Sequence, residues 1–141
     1  MRENIMLRNK TATYALLALY EIAQQQRDTP NGGGVRAGDI ALKHKLPKAY
    51  AAKILSQMAG AGVLHSDRGP RGGFRLNRAI EDISLFDVLE SVGAVISNEG
   101  KGAFTKGMPP KLQNAMTRAY GDAADALKNV FARVHLADVL A

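Results

Sequence analysis

Arg68, Arg71 and Arg75 fall close together in "GVLHSDRGPRGGFRL", residues 62–76, among four glycines and one proline. Guanidinium groups at this spacing suit one kind of chemistry. Each is a permanently charged fork of N–H donors that can clamp phosphate oxygens or enter a narrow groove of negative potential. Glycine supplies positive φ and proline fixes φ, so "DRGPRGG" reads as a stiffened turn. Residues 63–66 and 74–77 read as the strands on either side, with Phe74 and Leu76 inward and Arg75 and Asn77 outward. Such a turn would hold Arg68 and Arg71 away from the body of the protein. A plain surface hairpin is the alternative.

The surrounding charge points the same way. Residues 36–78 carry nine Lys and Arg against two acids, Asp39 and Asp67, so this third of the chain holds +7 of a total of +6 and the remainder sums to −1. Positive charge concentrated beside a neutral remainder is the electrostatic footprint of nucleic-acid binding. A solvated basic face would look the same by charge alone.

The elements that must position these cations follow from periodicity. Residues 11–26, "TATYALLALYEIAQQQ", are rich in Ala and Leu, lack Gly and Pro, and are apolar nearly all round, which predicts a buried helix. "DTPNGGGV" breaks the chain. "RAGDIALKHKL" is a short second helix, with Ile40, Ala41 and Leu46 as its apolar positions. Pro47 then stands where a third helix begins. In it Ala51, Ile54, Leu55 and Met58 form one core-facing stripe. Lys48, Ala49, Tyr50, Ala52, Lys53 and Ser56 lie towards the other side, and Gly60 and Gly62 end the helix. Two short helices joined by a tight turn, the second with small and basic residues outward, describe a helix-turn-helix. An ordinary helical hairpin is the competing description. The arginine-bearing hairpin directly after it takes the place of a DNA-binding wing.

The second half reads as a helix over 83–96, a loop over 97–109 and a long helix over 110–134. Ser84 and Asp87 make a capping-box-like start, and Leu85, Val88, Leu89 and Val92 form a stripe. The glycine-rich loop is long enough to suggest a function or disorder. On the long helix Leu112, Met116, Tyr120, Ala123, Leu127, Val130 and Val134 recur every three or four residues over about three heptads, the pattern of a helix that packs against a partner. Packing on its own core is the alternative. "HLADVLA" closes the chain as a short apolar tail.

Composition sets limits. The chain has 141 residues, 46% of them apolar, which suits one domain or one domain with an oligomerisation element. With no cysteine, it cannot form disulfides or thiolate-held clusters, or sense redox through a thiol. His44, His65 and His135 lack metal-ligand spacing. We find no nucleophile–base pair, phosphate loop or paired carboxylates, so an enzyme is not expected. No apolar run reaches the ~18 residues of a membrane span, and "MRENIMLRNK" has no secretory core, so we expect a cytoplasmic protein without membrane contact.

The chain resembles the Rrf2 family of bacterial winged-helix transcription regulators. The resemblance rests on "YALLALYEIA", "DIA", "LPKAYAAKIL", "AGVLHSDRGPRGGFRL", "ISLFDVLESV" and a closing "LADVL". It implies a homodimer on a near-palindromic operator, with recognition helices in successive major grooves and wings at the adjacent minor grooves. Matching positions place DNA contacts at Lys48, Ala49, Tyr50, Ala52, Lys53, Arg68, Gly69 and Arg71, with Arg68 as the minor-groove arginine. The chain also departs from the family. Many relatives hold an iron–sulfur cluster on three cysteines before the long helix, and residues 98–116 have none. A carboxylate that completes the cluster in some relatives is replaced by Thr13. Arg36 stands where the second helix usually starts with Ser or Thr, Lys45 where its turn usually has Gly, and Ala52 where some relatives have an acidic base-reading residue.

The expected fold is therefore mostly α with a small β-hairpin wing: a winged helix-turn-helix over 1–82, then a dimerisation and sensing region over 83–141. The expected function is a sequence-specific DNA-binding transcription regulator, a repressor rather than an activator, acting as a homodimer on double-stranded DNA without a cofactor. A small molecule or a protein could be its effector. A winged-helix adaptor that binds protein instead of DNA is the alternative.

Overall fold

Ala12, Ala15, Leu19 and Ile22 are buried along one side of the first helix, α1 (Asn9–Asp28), in a computed structural model that describes residues 9–70, 72–95 and 107–140. The helix is not buried all round, as its composition had suggested. Thr13, Tyr20 and Arg27 are exposed, and Leu16 and Leu17 are half-buried. One face of α1 meets the core, and alanine suits both faces because it carries little apolar surface.

The helices α2 (Ala37–His44) and α3 (Lys48–Gly60) pack against each other across a three-residue turn. Ala51, Ile54, Leu55 and Met58 of α3 are all buried, as their spacing predicts. Pro47 lies one position earlier than expected, at the N-cap (φ −58°), and its carbonyl accepts the Tyr50 and Ala51 N–H groups. The C-terminus of α3 closes as a Schellman motif. Gly62, at φ 83°, donates to Ala59 O, and Val63 donates to Met58 O, with both Val63 and Met58 fully buried.

The turn between α2 and α3 is made by a lysine. Lys45 sits at φ 55°, ψ 47°, and it is the non-glycine residue with positive φ among those described. A side chain there costs about 1–2 kcal/mol. Glycine relieves that cost but adds about 0.4–1 kcal/mol of unfolded-chain entropy. Lys45→Gly is therefore expected to raise stability by about 0.5–1 kcal/mol, read as a higher urea midpoint at unchanged m-value. A lower midpoint would mean that the lysine side chain stabilises the turn.

The hairpin consists of β1 (Leu64–Asp67) and β2 (Gly73–Leu76), each one residue from its expected limits. Leu64 pairs with Leu76, His65 with Arg75, Ser66 with Phe74 and Asp67 with Gly73. Phe74 and Leu76 pack against the core as expected. The glycine-rich break after α1 is more than a break. Val35 and Phe74 exchange both backbone hydrogen bonds (3.0 and 2.7 Å), so this loop lies against β2 like the start of a third strand.

A 3₁₀ turn (Ile80–Asp82) leads into α4 (Leu85–Ser91), shorter than the helix expected over 83–96. Its start is the anticipated capping box: the Asp87 N–H donates to Ser84 Oγ at 3.0 Å, and the Ser84 N–H donates to Asp87 Oδ2 at 3.1 Å. Its end is a second Schellman closure, at Gly93 (φ 67°).

The long helix α5 (Pro110–Phe131) stops three residues short of the expected 134. The chain turns there because it must return to the core. Leu136 donates to Ile83 O, Leu85 donates to Val134 O, and α6 (Leu136–Leu140) follows. The apolar tail is thus a helix whose Leu136 and Leu140 join the same core cluster as Leu19, Ile22, Leu55 and Val88. Val134 lies in the turn, off the helix on which its spacing had placed it. The expected loop at 97–109 lies outside the described residues up to 106. Among the described residues no helix is long and apolar enough to cross a membrane.

Candidate nucleic-acid interface

The α3 stripe fixes which residues of that helix face out. Because Ala51, Ile54, Leu55 and Met58 face the core, Lys48, Ala49, Lys53 and Ser56 are exposed and Ala52 is half-buried. Tyr50 takes a different course. Its ring meets Tyr14 edge-on, with centroids 5.9 Å apart, and its hydroxyl lies 3.1 Å from Thr11 Oγ1. The half-buried side chain thus ties α3 to α1. The N-terminus of α3 carries no side-chain cap. The N–H groups of Lys48 and Ala49 have no partner within the helix and can receive an anion.

The wing presents Arg68 and Gly69 on an exposed turn, with Gly69 at φ 99°. Arg71 lies outside the described residues. The wing tip meets the N-cap of α2, and the start of α3 lies beside α2. The Arg36 guanidinium, at the N-cap of α2, donates to Pro70 O at 2.7 Å. Two residues further on, a Cβ built on Gly38 would lie 3.7 Å from the Lys48 Cε. Arg36 thus lies at the wing tip, and Lys45 and Lys48 line one groove with Gly38 between α2 and α3.

Not all nine cations of this segment are available. Lys43 pairs with Glu21 (2.9 Å), Arg75 with Asp67 (2.8 Å), and Arg78 with Asp87 at 3.6 Å. Arg75 also donates to Gly32 O at 2.7 Å, so it braces the wing against the glycine loop. The +7 read from composition thus overstates the free positive charge. Two of the pairing acids, Glu21 and Asp87, lie outside the segment in sequence. Lys45, Lys48, Lys53 and Arg68 are exposed without an ion-pair partner among the described residues. Arg36 and Lys45 belong to this group although charge counting gave neither a specific role. The only sequence signal was that each occupies a position usually filled by another residue type.

The exposed apolar positions of α5 lie elsewhere. Of α5, only Ala124 is buried. Leu112, Met116 and Val130 are 48%, 36% and 52% exposed, and Tyr120, Ala123 and Leu127 are half-buried. The helix rests mainly on α4, with Lys128 Nζ 5.8 Å from the centre of the Phe86 ring.

Comparison with known proteins places this arrangement. The model of one family, Rrf2, described as iron-dependent transcriptional regulator, matches residues 8–141. A protein of Aquifex aeolicus described as an HTH-type transcriptional regulator is 36% identical over 88 residues, 62% of this chain and 58% of its own. The HTH-type transcriptional regulator IscR of Photobacterium profundum is 32% identical over 79 residues, 56% of this chain and 44% of its own. The chain thus spans about half the length of the curated relatives it matches. In solved structures, CymR, the global cysteine regulator of B. subtilis, superposes with a TM-score of 0.61 at 23% identity, covering 92% of each chain, a likeness of fold.

The donor groups among the described residues do not fit the iron of the family description. The sequence has no cysteine, and among the described residues no three His, Cys, Asp or Glu side chains gather. His44 lies beside Glu21 and His65 beside Asp67, each as a pair. An iron site needs more ligands than either pair supplies.

Proposed function

The chain belongs to the Rrf2 family of transcriptional regulators, and from that premise we propose that it binds a near-palindromic operator in double-stranded DNA as a cytoplasmic homodimer and represses transcription there. The observation that supports this reading is the set of exposed cations without an ion-pair partner among the described residues, Arg68 on the wing and Lys48 and Lys53 on α3, with the wing tip tied to α2 by the Arg36–Pro70 bond. The wing and the recognition helix are the two parts that a winged helix lays against adjacent grooves.

In this reading residues 1–82 contact DNA, and residues 83–141 dimerise and carry any sensing function. Lys48, Lys53 and the free amides at the start of α3 hold phosphates and set the helix in the major groove. Ala49 and Ala52 let the helix approach base edges, and small side chains there can meet a thymine methyl. Arg68 enters the minor groove from a turn whose Gly69 takes a backbone shape that side chains disfavour. Arg71 belongs to the same contact by its place in the turn. Tyr50 is also a DNA contact in this reading, on a side chain braced against α1 by Thr11 and Tyr14.

The apolar side of α5 supports a two-fold seam built from Leu112, Met116, Tyr120, Ala123, Leu127 and Val130, with Val134 at its edge. Symmetry then sets the half-sites about one helical turn, ~34 Å, apart. Selection of bound duplexes from a random pool, followed by footprinting, tests the whole reading. The expected product is an inverted repeat protected on one face, and recovery of no enriched sequence would reject it.

Lys53→Ala tests the recognition helix alone. Removing one phosphate contact per subunit should weaken binding a few-fold on all sequences alike and lower the log K against log salt slope by about 1 per contact. Superimposable titrations would remove Lys53 from the interface.

A further inference from the structure

Arg36 has the backbone of an N-cap (φ −90°, ψ 147°) but caps nothing with its side chain. Ser, Thr, Asp or Asn at this position would satisfy a free amide of α2 and stabilise the helix. The arginine forgoes that. Its Nη2 instead reaches across 34 residues of sequence to donate to the Pro70 carbonyl at 2.7 Å, a charge-assisted bond onto the outer turn of the wing between Arg68 and Arg71.

The base of the wing is held by other means. Val35 and Phe74 exchange backbone hydrogen bonds. Gly34 and Gly73 meet so closely that a Cβ on Gly34 would come within 2.6 Å of the Gly73 carbonyl carbon. Arg75 joins Asp67 to Gly32 O. These contacts fix where the hairpin leaves the body. Within the tip, Gly72 packs so closely on the end of β1 that a Cβ there would lie 2.5 Å from Asp67 O, and the bond from Arg36 to Pro70 O is what ties the outer turn to α2. The turn's own bond, from the Gly72 N–H to Gly69 O, shapes the loop but does not orient it.

We propose that Arg36 is a positioning residue for the wing: it tethers the tip at Pro70 so that Arg68 meets the minor groove already oriented. The proposal rests on the DNA-binding reading above. A tethered tip loses less freedom on binding, so removal of the tether should weaken binding about three- to tenfold.

The test is Arg36→Ser, which removes the tether and supplies a capping hydroxyl, so the fold is kept. Binding is read by fluorescence anisotropy on a labelled duplex that the wild-type protein selects from a random pool. The same substitution is also made in an Arg68→Ala background. Hydrogen exchange at the amides of Arg68, Gly69, Gly72 and Gly73 is followed in the free protein. The expected result is a decrease of about three- to tenfold in the wild-type background, no further decrease beside Arg68→Ala, and faster exchange at the wing with an unchanged or higher melting temperature. An equal decrease in both backgrounds would mean that Arg36 touches DNA itself, and would overturn the positioning role. Unchanged exchange, or full affinity in the Arg36→Ser protein, would overturn it too. If the wild-type chain selects no duplex, the DNA reading fails on its own, and the exchange data still decide whether the tether exists.

Discussion

Arg68→Ala is expected to weaken operator binding by about 1–3 kcal/mol per wing, roughly 5- to 150-fold for each guanidinium removed, while the protein folds as before. The fold should be unaffected because Arg68 is exposed, with no ion-pair partner among the described residues. The effect on binding should be large because the turn fixes the backbone from which the guanidinium extends. Gly69 at φ 99° and Pro70 shape the turn, and Pro70 is bonded to Arg36. A pre-oriented cation in a narrow groove gains its electrostatic energy without first being ordered. The effect should be greatest on operators with A·T-rich flanks, where the minor groove is narrow and its potential most negative. The salt slope should fall as well, by about 1 for each phosphate that Arg68 neutralises. A full-affinity Arg68→Ala protein with an unchanged salt slope would take the wing out of the interface.

The second large effect concerns assembly. Val130→Asp and Leu127→Asp should each convert the proposed dimer to monomer at micromolar concentration, as read by sedimentation or light scattering. Val130 is 52% exposed in the single chain, so an aspartate there costs the monomer little. In a two-fold seam the same substitution buries two unpaired carboxylates, since each copy contributes one. An uncompensated buried charge costs several kcal/mol, and doubling it exceeds what a small interface supplies. Leu127 is half-buried and in line with Val130 along the stripe. Agreement between the two variants separates disruption of the seam from damage to the monomer. The monomer should also bind the operator more weakly, because one half-site then binds without the other. A Val130→Asp protein that stays dimeric would put the interface on another face.

What the sequence determined by itself was local. The stripe Ala51, Ile54, Leu55 and Met58 predicted the inward face of α3 correctly, and "DRGPRGG" between apolar runs predicted the hairpin to within one residue. The Ser84–Asp87 capping box was legible from its spacing. These features repeat at three or four residues, or every second residue, because neighbouring side chains share a face at those intervals. Missing cysteines were equally plain, since composition needs no geometry. The tertiary structure decided which of those cations are free and what holds them. Lys43 finds Glu21 across 22 residues, Tyr50 finds Thr11 across 39, and Arg36 finds Pro70 across 34. Contacts at such separations leave no periodic trace. A charge count cannot tell a cation neutralised by a distant acid from one left to solvent. Nor could the apolar tail announce α6, whose return to Ile83 depends on a core assembled from α1, α3 and α4. Local order follows from the chain's own repeat, but the wing's aim and its available charge follow from which distant groups the folded core brings within hydrogen-bonding reach.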